Sequence, residues 1–317
     1  MIKVAVIGAG HFGREHARIY STLEQASLVA VCDINPSTGQ RAADEFKSTW
    51  IADYRELIGH IDAASLAVPT VDHHPIAVDL LQSGIAVLIE KPIARTIEEA
   101  DEIIQTAEQN NTALQVGHLE RFNPAVVAAS QILTKPLFFE AHRLSLFTPR
   151  SLDIDVVMDL MIHDLDVILS FLPGEVIDIR AAGVPILTPK IDIANARIEF
   201  ENGCVANLTA SRVSAERVRK LRFFQPHEYV SIDYTRQEAA VVSVKTDERG
   251  RLSFDFRGLE VERGEPLKLE IESFLAAVRG ARVRVTGREG RRALRLALNI
   301  TEKIREHADR AGVPFVG

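Results

Sequence analysis

The sequence predicts an α/β protein with an N-terminal doubly wound parallel sheet and a C-terminal α/β domain built on a large, mostly antiparallel, open sheet. The first ~120 residues alternate short apolar runs with helical patterns, which is typical of βαβ units. After Gly117 the runs become strand-like and are separated by turn signals such as Glu201-Asn202-Gly203. With 317 residues and 46% hydrophobic content, the chain can fill two cores. We expect domains at residues 1–120 and 121–317, with the C-terminal helices packing back.

The apolar runs of the first domain are continuous rather than alternating, which indicates strands covered on both faces. They predict strands at residues 3–8, 28–33, 63–68, 86–90 and 113–116, and helices near 11–23, 36–46, 74–83 and 97–110. In the second domain we expect helices at 124–133 and 156–171, strands at 137–146 and across 176–256, and final helices at 267–278 and 291–308.

The first predicted strand runs directly into Gly8-Ala9-Gly10-His11-Phe12-Gly13, and Asp33 follows 20 residues after the last glycine. Strand, glycine triplet, helix and a correctly spaced acid together form a dinucleotide-binding fingerprint. Gly8 permits the tight turn, Gly10 lets the backbone approach a pyrophosphate, and Gly13 lets the helix pack closely on the strand. A glycine-rich turn without a ligand would leave Asp33 unexplained.

Asp33 also indicates which dinucleotide binds. A carboxylate at the end of the second strand accepts hydrogen bonds from the adenosine ribose and repels a 2′-phosphate. Since no arginine follows in Cys32-Asp33-Ile34-Asn35-Pro36, NAD is favoured over NADP; the fingerprint alone leaves FAD open.

Composition narrows the class of protein. The net charge is −7, which disfavours a nucleic-acid partner. The clusters Arg217-Arg219-Lys220-Arg222 and Arg291-Arg292-Arg295 are short, and are either solvated faces or phosphate contacts. Two cysteines imply no disulfide framework. The N-terminus begins with a core strand rather than a signal peptide, and no apolar stretch approaches membrane-spanning length. We expect a cytoplasmic protein.

Lys91 follows the fourth predicted strand in Glu90-Lys91-Pro92. Ligands of open parallel sheets lie beyond the carboxyl ends of the strands, so an ammonium there can bond a sugar hydroxyl and stabilise developing alkoxide charge. A surface lysine at a strand end is the ordinary alternative. Proline restricts Lys91 to extended geometry, and a cis peptide is compatible with this dipeptide.

Asp159 and His163 lie four residues apart within the predicted helix 156–171, and therefore on one face. The carboxylate can fix the imidazole tautomer and raise its basicity, as a proton acceptor from an alcohol requires. The alternatives are an ordinary Asp–His helix pair or a metal site. A metal would need further ligands, and no His/Cys-rich segment supplies them, so we expect no metal.

Polar residues also follow other predicted strands. The stretch Gly117-His118-Leu119-Glu120-Arg121-Phe122-Asn123-Pro124 lies at the domain junction, where sugar or phosphate recognition is common. His118, Arg121 and Asn123 are candidates, although each is also able to cap the next helix. Pro69 and His73 follow the third strand and are candidates to line the nicotinamide ribose.

Taken together, these motifs resemble the glucose–fructose oxidoreductase/inositol dehydrogenase (Gfo/Idh/MocA) family over nearly the whole chain. The family's glycine fingerprint falls on Gly8, Gly10 and Gly13, its Glu-Lys-Pro motif on Glu90–Pro92, and its Asp-x-x-x-His pair on Asp159 and His163. The resemblance implies an NAD(P)-binding Rossmann domain, followed by an α/β domain whose open sheet commonly forms a dimer or tetramer interface. His11, Phe12, Glu90 and Lys91 are further expected cofactor contacts.

Within the family, residues 117–124 and the run from Arg143 to Asp166 are similar to the branch of UDP-N-acetylglucosamine 3-dehydrogenases. Those enzymes oxidise the 3-hydroxyl ahead of an aminotransferase that makes a diamino sugar for lipid A. A nucleotide sugar needs diphosphate contacts, for which Arg121, Arg143, Arg150 and Arg212 are candidates.

The resulting hypothesis is an NAD-dependent sugar dehydrogenase with a small-molecule substrate. His163 takes the proton of the substrate hydroxyl, Asp159 orients His163, and Lys91 holds the oxygen; Lys91 and His163 could exchange the role of base. An NAD-using glycosidase that oxidises C3 transiently is one alternative, and a non-catalytic NAD-binding sensor is another.

Overall fold

The computed structural model describes residues 1–148, 154–246 and 250–312. The chain forms two compact units. The first comprises residues 1–119 and 265–294, and the second comprises residues 120–264 and the described residues from 295 onward. The long last helix, Gly287–Ala311 (α8), therefore contributes to both units.

The first unit is built on a six-stranded parallel sheet in the order β3-β2-β1-β4-β5-β6. This is the doubly wound order in which the chain reverses direction beside the first strand, and it confirms the predicted fold class. The strands are β1 Ile2–Ile7, β2 Ala26–Cys32, β3 Thr49–Ile51, β4 Ala63–Leu66, β5 Ala86–Glu90 and β6 Leu114–Gly117. Five were predicted; β3 is three residues long and leaves no periodic signal.

Helices connect these strands, and two of them begin at a side-chain cap. They are α1 His11–Tyr20, α2 Pro36–Glu45, α3 Thr70–Gln82 and α4 Ile97–Gln109. Asn35 caps α2 by accepting from the backbone N–H of Ser37 at 3.0 Å, and Thr96 caps α4 by accepting from Glu99. Such caps satisfy amides that have no partner within the helix.

The helix Pro266–Val278 (α7) returns to the core of the first unit. Its buried residues Leu267, Ile271 and Phe274 recur at helical spacing and belong to the same apolar cluster as Val4 and Val6 of β1. The sheet core is therefore completed by a segment that lies about 150 residues downstream of β6.

The second unit is built on an eight-stranded sheet in the order β14-β13-β12-β11-β7-β10-β9-β8. Its strands are β7 Phe138–Leu144, β8 Val176–Val184, β9 Ile193–Phe200, β10 Val205–Ser211, β11 Val218–Gln225, β12 Glu228–Asp233, β13 Glu238–Thr246 and β14 Leu252–Gly258. Strands β7 and β10 pair in parallel and the other neighbours are antiparallel. Burial alternates along β9 and β10, as it does when one face is covered.

Two further helices belong to this unit: α5 Pro124–Ser130 precedes β7, and α6 Ile162–Phe171 lies between β7 and β8 in sequence. A π-helical turn, Val157–Met161, directly precedes α6, so the predicted helix 156–171 exists but changes its hydrogen-bond register partway. Phe171 of α6 packs against Phe139 of β7 and Phe223 of β11, with ring centroids 6.3 and 6.0 Å away. These rings attach α6 to the inner face of the sheet.

The two cysteines, Cys32 and Cys204, are buried free thiols. Burial raises their pKa to about 12 and about 11 respectively, so both stay protonated at neutral pH. Within the described ranges, no helix is long and apolar enough to cross a membrane.

The buried face of α7 generates a stability prediction. Replacing Phe274, which is fully buried, by alanine should lower the free energy of unfolding by about 3–5 kcal/mol, because the ring leaves a cavity in the core of the first unit. Leu269 lies on the same helix and is 38% exposed; Leu269→Ala should cost less than about 1 kcal/mol. Urea unfolding followed by circular dichroism measures both. Equal effects of the two variants would contradict the assignment of α7 to this core.

Candidate functional site

The glycine turn after β1 has a geometry that only glycine permits. Gly8 has φ = +94°, a conformation that costs other residues energy. A Cβ on Gly13 would lie 1.7 Å from the carbonyl oxygen of Gly8. This distance is far too short for a non-bonded contact, so only glycine fits at position 13. The first and third glycines of the fingerprint therefore bring α1 against the turn.

The N-terminus of α1 fits an anionic ligand. Its N-cap is Gly10, its first turn contains no acid, and among the described residues no side chain caps it. A Cβ built on Gly10 would meet no heavy atom of the described chain within 4 Å, so the space beside this turn is open. Uncapped amides and the positive end of the helix dipole favour a phosphate there. The residues present therefore fit the pyrophosphate of a dinucleotide.

Asp33 lies where the ribose contact is expected. One of its oxygens, Oδ2, accepts from the backbone N–H of Ala9 in the glycine turn at 2.7 Å, and Oδ1 accepts from that of Asn35 at 2.8 Å. These bonds orient the half-buried carboxylate and leave further lone pairs for a ribose diol. The contact between Asp33 and Ala9 links the acid and the glycines of the fingerprint into one site.

The other expected cofactor residues divide into exposed and buried ones. His11 and Phe12 are exposed at the start of α1, with ring centroids 5.7 Å apart, and Pro69 is exposed before α3. His73 is buried, with Nδ1 2.9 Å from the carbonyl oxygen of Pro92 and Nε2 3.0 Å from that of Val68. Burial lowers the pKa of His73 despite these bonds. We assign His73 to joining two loops rather than to direct cofactor contact.

Lys91 is held through its neighbour Glu90 at the end of β5. The carboxylate of Glu90 accepts from Nε2–H of His16 at 2.9 Å and from the backbone N–H of Lys91 at 3.3 Å. Burial acts to raise the pKa of Glu90, but the hydrogen bond and charge of His16 and the charge of Lys91 outweigh it and lower that pKa. The peptide between Lys91 and Pro92 is cis.

The contacts of His16 extend further into the first unit. Its Nδ1 lies 3.0 Å from Ser65 Oγ, which lies 2.8 Å from the hydroxyl of Tyr20. The buried Glu270 of α7 completes a group in which potential ligand atoms of His16, Glu90 and Glu270 lie within 4.8 Å of one another. Since both nitrogens of His16 face hydrogen-bonding partners, this cluster is an internal network rather than an open coordination sphere.

Asp159 and His163 lie on the π-helical turn and the first turn of α6, and both are half-buried. Short π-helical segments occur frequently at functional sites because they shift side chains relative to a regular helix. The turn is anchored at its start. Asp155 Oδ1 accepts from the backbone N–H groups of Val157 and Met158, at 2.8 and 2.9 Å. The guanidinium of Arg212 donates to the carbonyl of Ile154.

A buried ion-pair network fixes α6 beside His163. Arg143 donates to both oxygens of Asp164, at 2.8 and 3.0 Å, and to Glu120 at 3.1 Å. Its guanidinium lies 4.9 Å from the ring centroid of Tyr234. Burial alone would lower the pKa of Arg143, but the charges of Asp164 and Glu120 raise it. Burial also raises the pKa of Tyr234 well above its usual value, so this phenol stays neutral.

Most predicted substrate contacts are occupied by protein groups. Asn123 caps α5 through Ala125 at 3.1 Å and donates to the carbonyl of Tyr234 at 3.0 Å. Arg121 lies 3.5 Å from Asp166, and the buried Arg212 lies 3.7 Å from Asp192. His118 is buried, and Arg150 lies outside the described residues.

These contacts change how the predicted substrate residues are interpreted. Arg143 is only 2% exposed and is committed to two carboxylates, so we assign it, Asn123 and Arg212 to holding the helix that carries His163. The partners Glu120, Asp164, Asp166 and Tyr234 were not singled out from the sequence. The one available signal was the acids at positions 164 and 166 beside an apolar helix face.

Comparison with known proteins agrees with this architecture. The family model described as an oxidoreductase family with an NAD-binding Rossmann fold matches residues 2–118, and the C-terminal domain model of the same family matches residues 139–231. The chain therefore carries the NAD-binding domain of an oxidoreductase.

Two relatives and one solved structure illustrate the range of similarity. A UDP-N-acetylglucosamine 3-dehydrogenase of Acidithiobacillus ferrooxidans is 38% identical over 302 residues, covering 94% of this chain and 96% of its own. The solved structure of that organism's UDP-N-acetylglucosamine 3-dehydrogenase GnnA superposes with a TM-score of 0.90 at 36% identity, over 96% of this chain and 98% of the other. A scyllo-inositol 2-dehydrogenase (NAD(+)) of Bacillus subtilis is 26% identical over 67% of this chain and 68% of its own.

The geometry at Asp33 generates a test of cofactor choice. Asp33→Asn removes the negative charge and one of the two side-chain oxygens that accept from backbone N–H groups. The Kd for NADH should therefore rise about 10–100-fold. Preference should shift toward NADPH, because repulsion of a 2′-phosphate is lost. Fluorescence titration with both nucleotides measures this.

The matched control is Asp62→Asn, which alters an exposed aspartate that also accepts from a backbone N–H, that of Lys3 at 2.7 Å. Its affinities should stay within about twofold of the parent. Unchanged NADH affinity and preference in Asp33→Asn would exclude Asp33 as the ribose contact.

Proposed function

The chain belongs to the Gfo/Idh/MocA oxidoreductase family, and from this premise we propose that it catalyses NAD-dependent oxidation of a secondary hydroxyl of a sugar, at C3 of a UDP-N-acetylhexosamine. The observation that carries this proposal is the 38% identity to a UDP-N-acetylglucosamine 3-dehydrogenase over 94% of the chain, which includes the second unit. The ketone product would suit a later transamination, as in the formation of a diamino sugar for lipid A.

The first unit would hold the cofactor with the groups that fit it. The amides at the start of α1 and the open space beside Gly10 would receive the pyrophosphate, and Asp33 would accept from the adenosine ribose. When bound, NAD supplies a nicotinamide that accepts hydride from a carbinol carbon.

His163 is our candidate for the base that takes the proton of the hydroxyl. Asp159 lies four residues earlier, across the junction of the π-helical turn and α6, and is the candidate to orient the imidazole. Asp164, the residue after His163, is fixed by Arg143, which limits movement of the helix that carries the base. Lys91 would stabilise negative charge on the substrate oxygen as the carbonyl forms.

Removal of the base should affect turnover more than cofactor binding. His163→Ala should lower kcat about 10²–10⁴-fold, because general-base assistance is typically worth this much, with the Kd for NADH within about twofold of the parent. His307→Ala is a matched control, since His307 is also half-buried and lies in the second unit. Near-normal turnover in His163→Ala with the physiological sugar would show that another group is the base.

The substrate class is tested by following NADH absorbance across a panel of UDP-N-acetylglucosamine, UDP-N-acetylgalactosamine, free N-acetylglucosamine, glucose and inositol. We expect turnover on a UDP-linked sugar and little on the free sugars. Turnover on inositol or glucose but not on UDP-sugars would overturn the proposal. Release of an aglycone without net NADH would instead identify a glycosidase.

We further propose that the chain forms a homodimer or homotetramer through its open sheet. The edge strand β14 presents Leu252, Phe254 and Phe256 at 65, 65 and 75% exposure, at alternate positions and hence on one face. A row of large exposed apolar side chains on a sheet is typical of an interface. Light scattering after size exclusion should show a multimer that Phe254→Ser with Phe256→Ser dissociates; a monomeric parent chain would contradict this.

A further inference from the structure

Arg219 is a partly buried cation on which the charges of Glu120 and Asp164 act, although neither acid forms an ion pair with it within the described residues. It lies on β11 with the same parity as the buried residues Leu221 and Phe223, and therefore on the inner face of the sheet. Its Nε is buried and has no hydrogen-bond partner in the part of the chain that the structure describes. Within residues 1–148, 154–246 and 250–312, no carboxylate forms an ion pair with Arg219.

The nearest acids are already committed to another arginine. Arg219 pairs in register with Arg143 of the neighbouring strand β7, and Arg143 takes both oxygens of Asp164 and one oxygen of Glu120. Burial, followed by the charge of Arg143, lowers the pKa of Arg219, while the charges of Glu120 and Asp164 oppose this shift. A guanidinium nonetheless remains protonated in proteins, so its positive charge persists.

Other cations of the same segment form ion pairs, unlike Arg219. Arg222 and Lys220 lie on the opposite face of β11 and are matched by acids, Arg222 by Glu140 at 2.9 Å and Lys220 by Asp233 at 3.9 Å. Arg217 is exposed and lies directly before β11, two residues from Arg219. Its positive charge also acts on Arg219. The cations on the outer face of β11 thus form ion pairs, whereas Arg219 on the inner face forms none with a described residue.

We propose that Arg219, together with Arg217, binds the diphosphate of a nucleoside diphosphate sugar. A diphosphate supplies anionic oxygens, with which neither Arg219 nor Arg217 is paired in the described chain, and the planar fork of a guanidinium matches two phosphate oxygens. The site would anchor the substrate in the second unit, next to the network that fixes Asp164 and therefore His163. This inference rests on the proposed function, and it names the residues that would distinguish nucleotide sugars from free sugars.

The test is calorimetric titration of the full chain with UDP as the probe. Arg219→Gln should raise the Kd for UDP about 10–100-fold, the range expected when hydrogen bonds to a charged group are lost. Arg217→Gln should raise it less, because this residue is exposed, and Arg219→Lys should fall between Arg219→Gln and the parent. The matched control is Arg236→Gln, which removes an exposed arginine of the same unit and should leave the Kd within about twofold.

Two further readouts separate lost binding from lost folding. The dependence of log Kd on log salt should be shallower in Arg219→Gln than in the parent, since one fewer cation meets the phosphates. The Kd for NADH should be unchanged; a parallel loss of NADH affinity would point to the pyrophosphate of the dinucleotide as the ligand and overturn the proposal.

The outcomes distinguish this site from the proposed function. Oxidation of a UDP-sugar by the parent, with unchanged UDP affinity in Arg219→Gln, would refute the diphosphate site and leave the function standing. UDP binding that depends on Arg219, without oxidation of any UDP-sugar, would support the site and refute the function. Absence of UDP binding by the parent, or an equal loss in Arg236→Gln, would also overturn the site.

Discussion

The ion pair between Arg143 and Asp164 is the interaction on which the candidate catalytic helix depends. Both side chains are almost fully buried, at 2% exposure, so neither charge has water to solvate it. Two hydrogen bonds between them and a third to Glu120 replace that water. Removing one member of such a buried pair typically costs about 3–5 kcal/mol, because the other charge is left uncompensated. The pair thus ties α6 to β7 and determines where His163, one residue earlier, can lie.

The first unit fixes Lys91 by the same physical means. Glu90 precedes Lys91 and is bonded to the buried His16, in a network that continues to Ser65 and Tyr20. Because the pKa of Glu90 is lowered in the folded state, its ionised form stabilises the fold above the pKa of the unfolded carboxyl, near 4.3. That contribution is lost as the pH falls through the lower, folded pKa. Lys91 and His163 are therefore each adjacent in sequence to an acid held by a basic residue, Glu90 by His16 and Asp164 by Arg143.

How much could be predicted from the sequence depends on how many residues carry each signal. The glycine fingerprint spreads over strand, turn, helix and Asp33, and the structure brings all of these together. The alternation in β9 and β10 likewise gave the antiparallel sheet. The π-helical turn before α6 could not be predicted, because it arises from one change of hydrogen-bond register within an otherwise helical pattern. The strand β3 is too short to show a period.

The roles of the arginines were the least predictable part of the candidate site, since they depend on which carboxylate each one meets in the fold. Composition marks Arg143, Arg212 and Arg219 alike as cations in strand-like or turn segments. The structure separates them: Arg143 and Arg212 are paired with Asp164 and Asp192, while Arg219 faces inward beside acids that are already bonded. A cation that is bonded to acids within the fold contributes to holding the site, whereas one that forms no ion pair with the described residues has its hydrogen-bond donors available for a ligand. On this physical ground the sheet that supports His163 also becomes the surface on which an anionic substrate would be recognised.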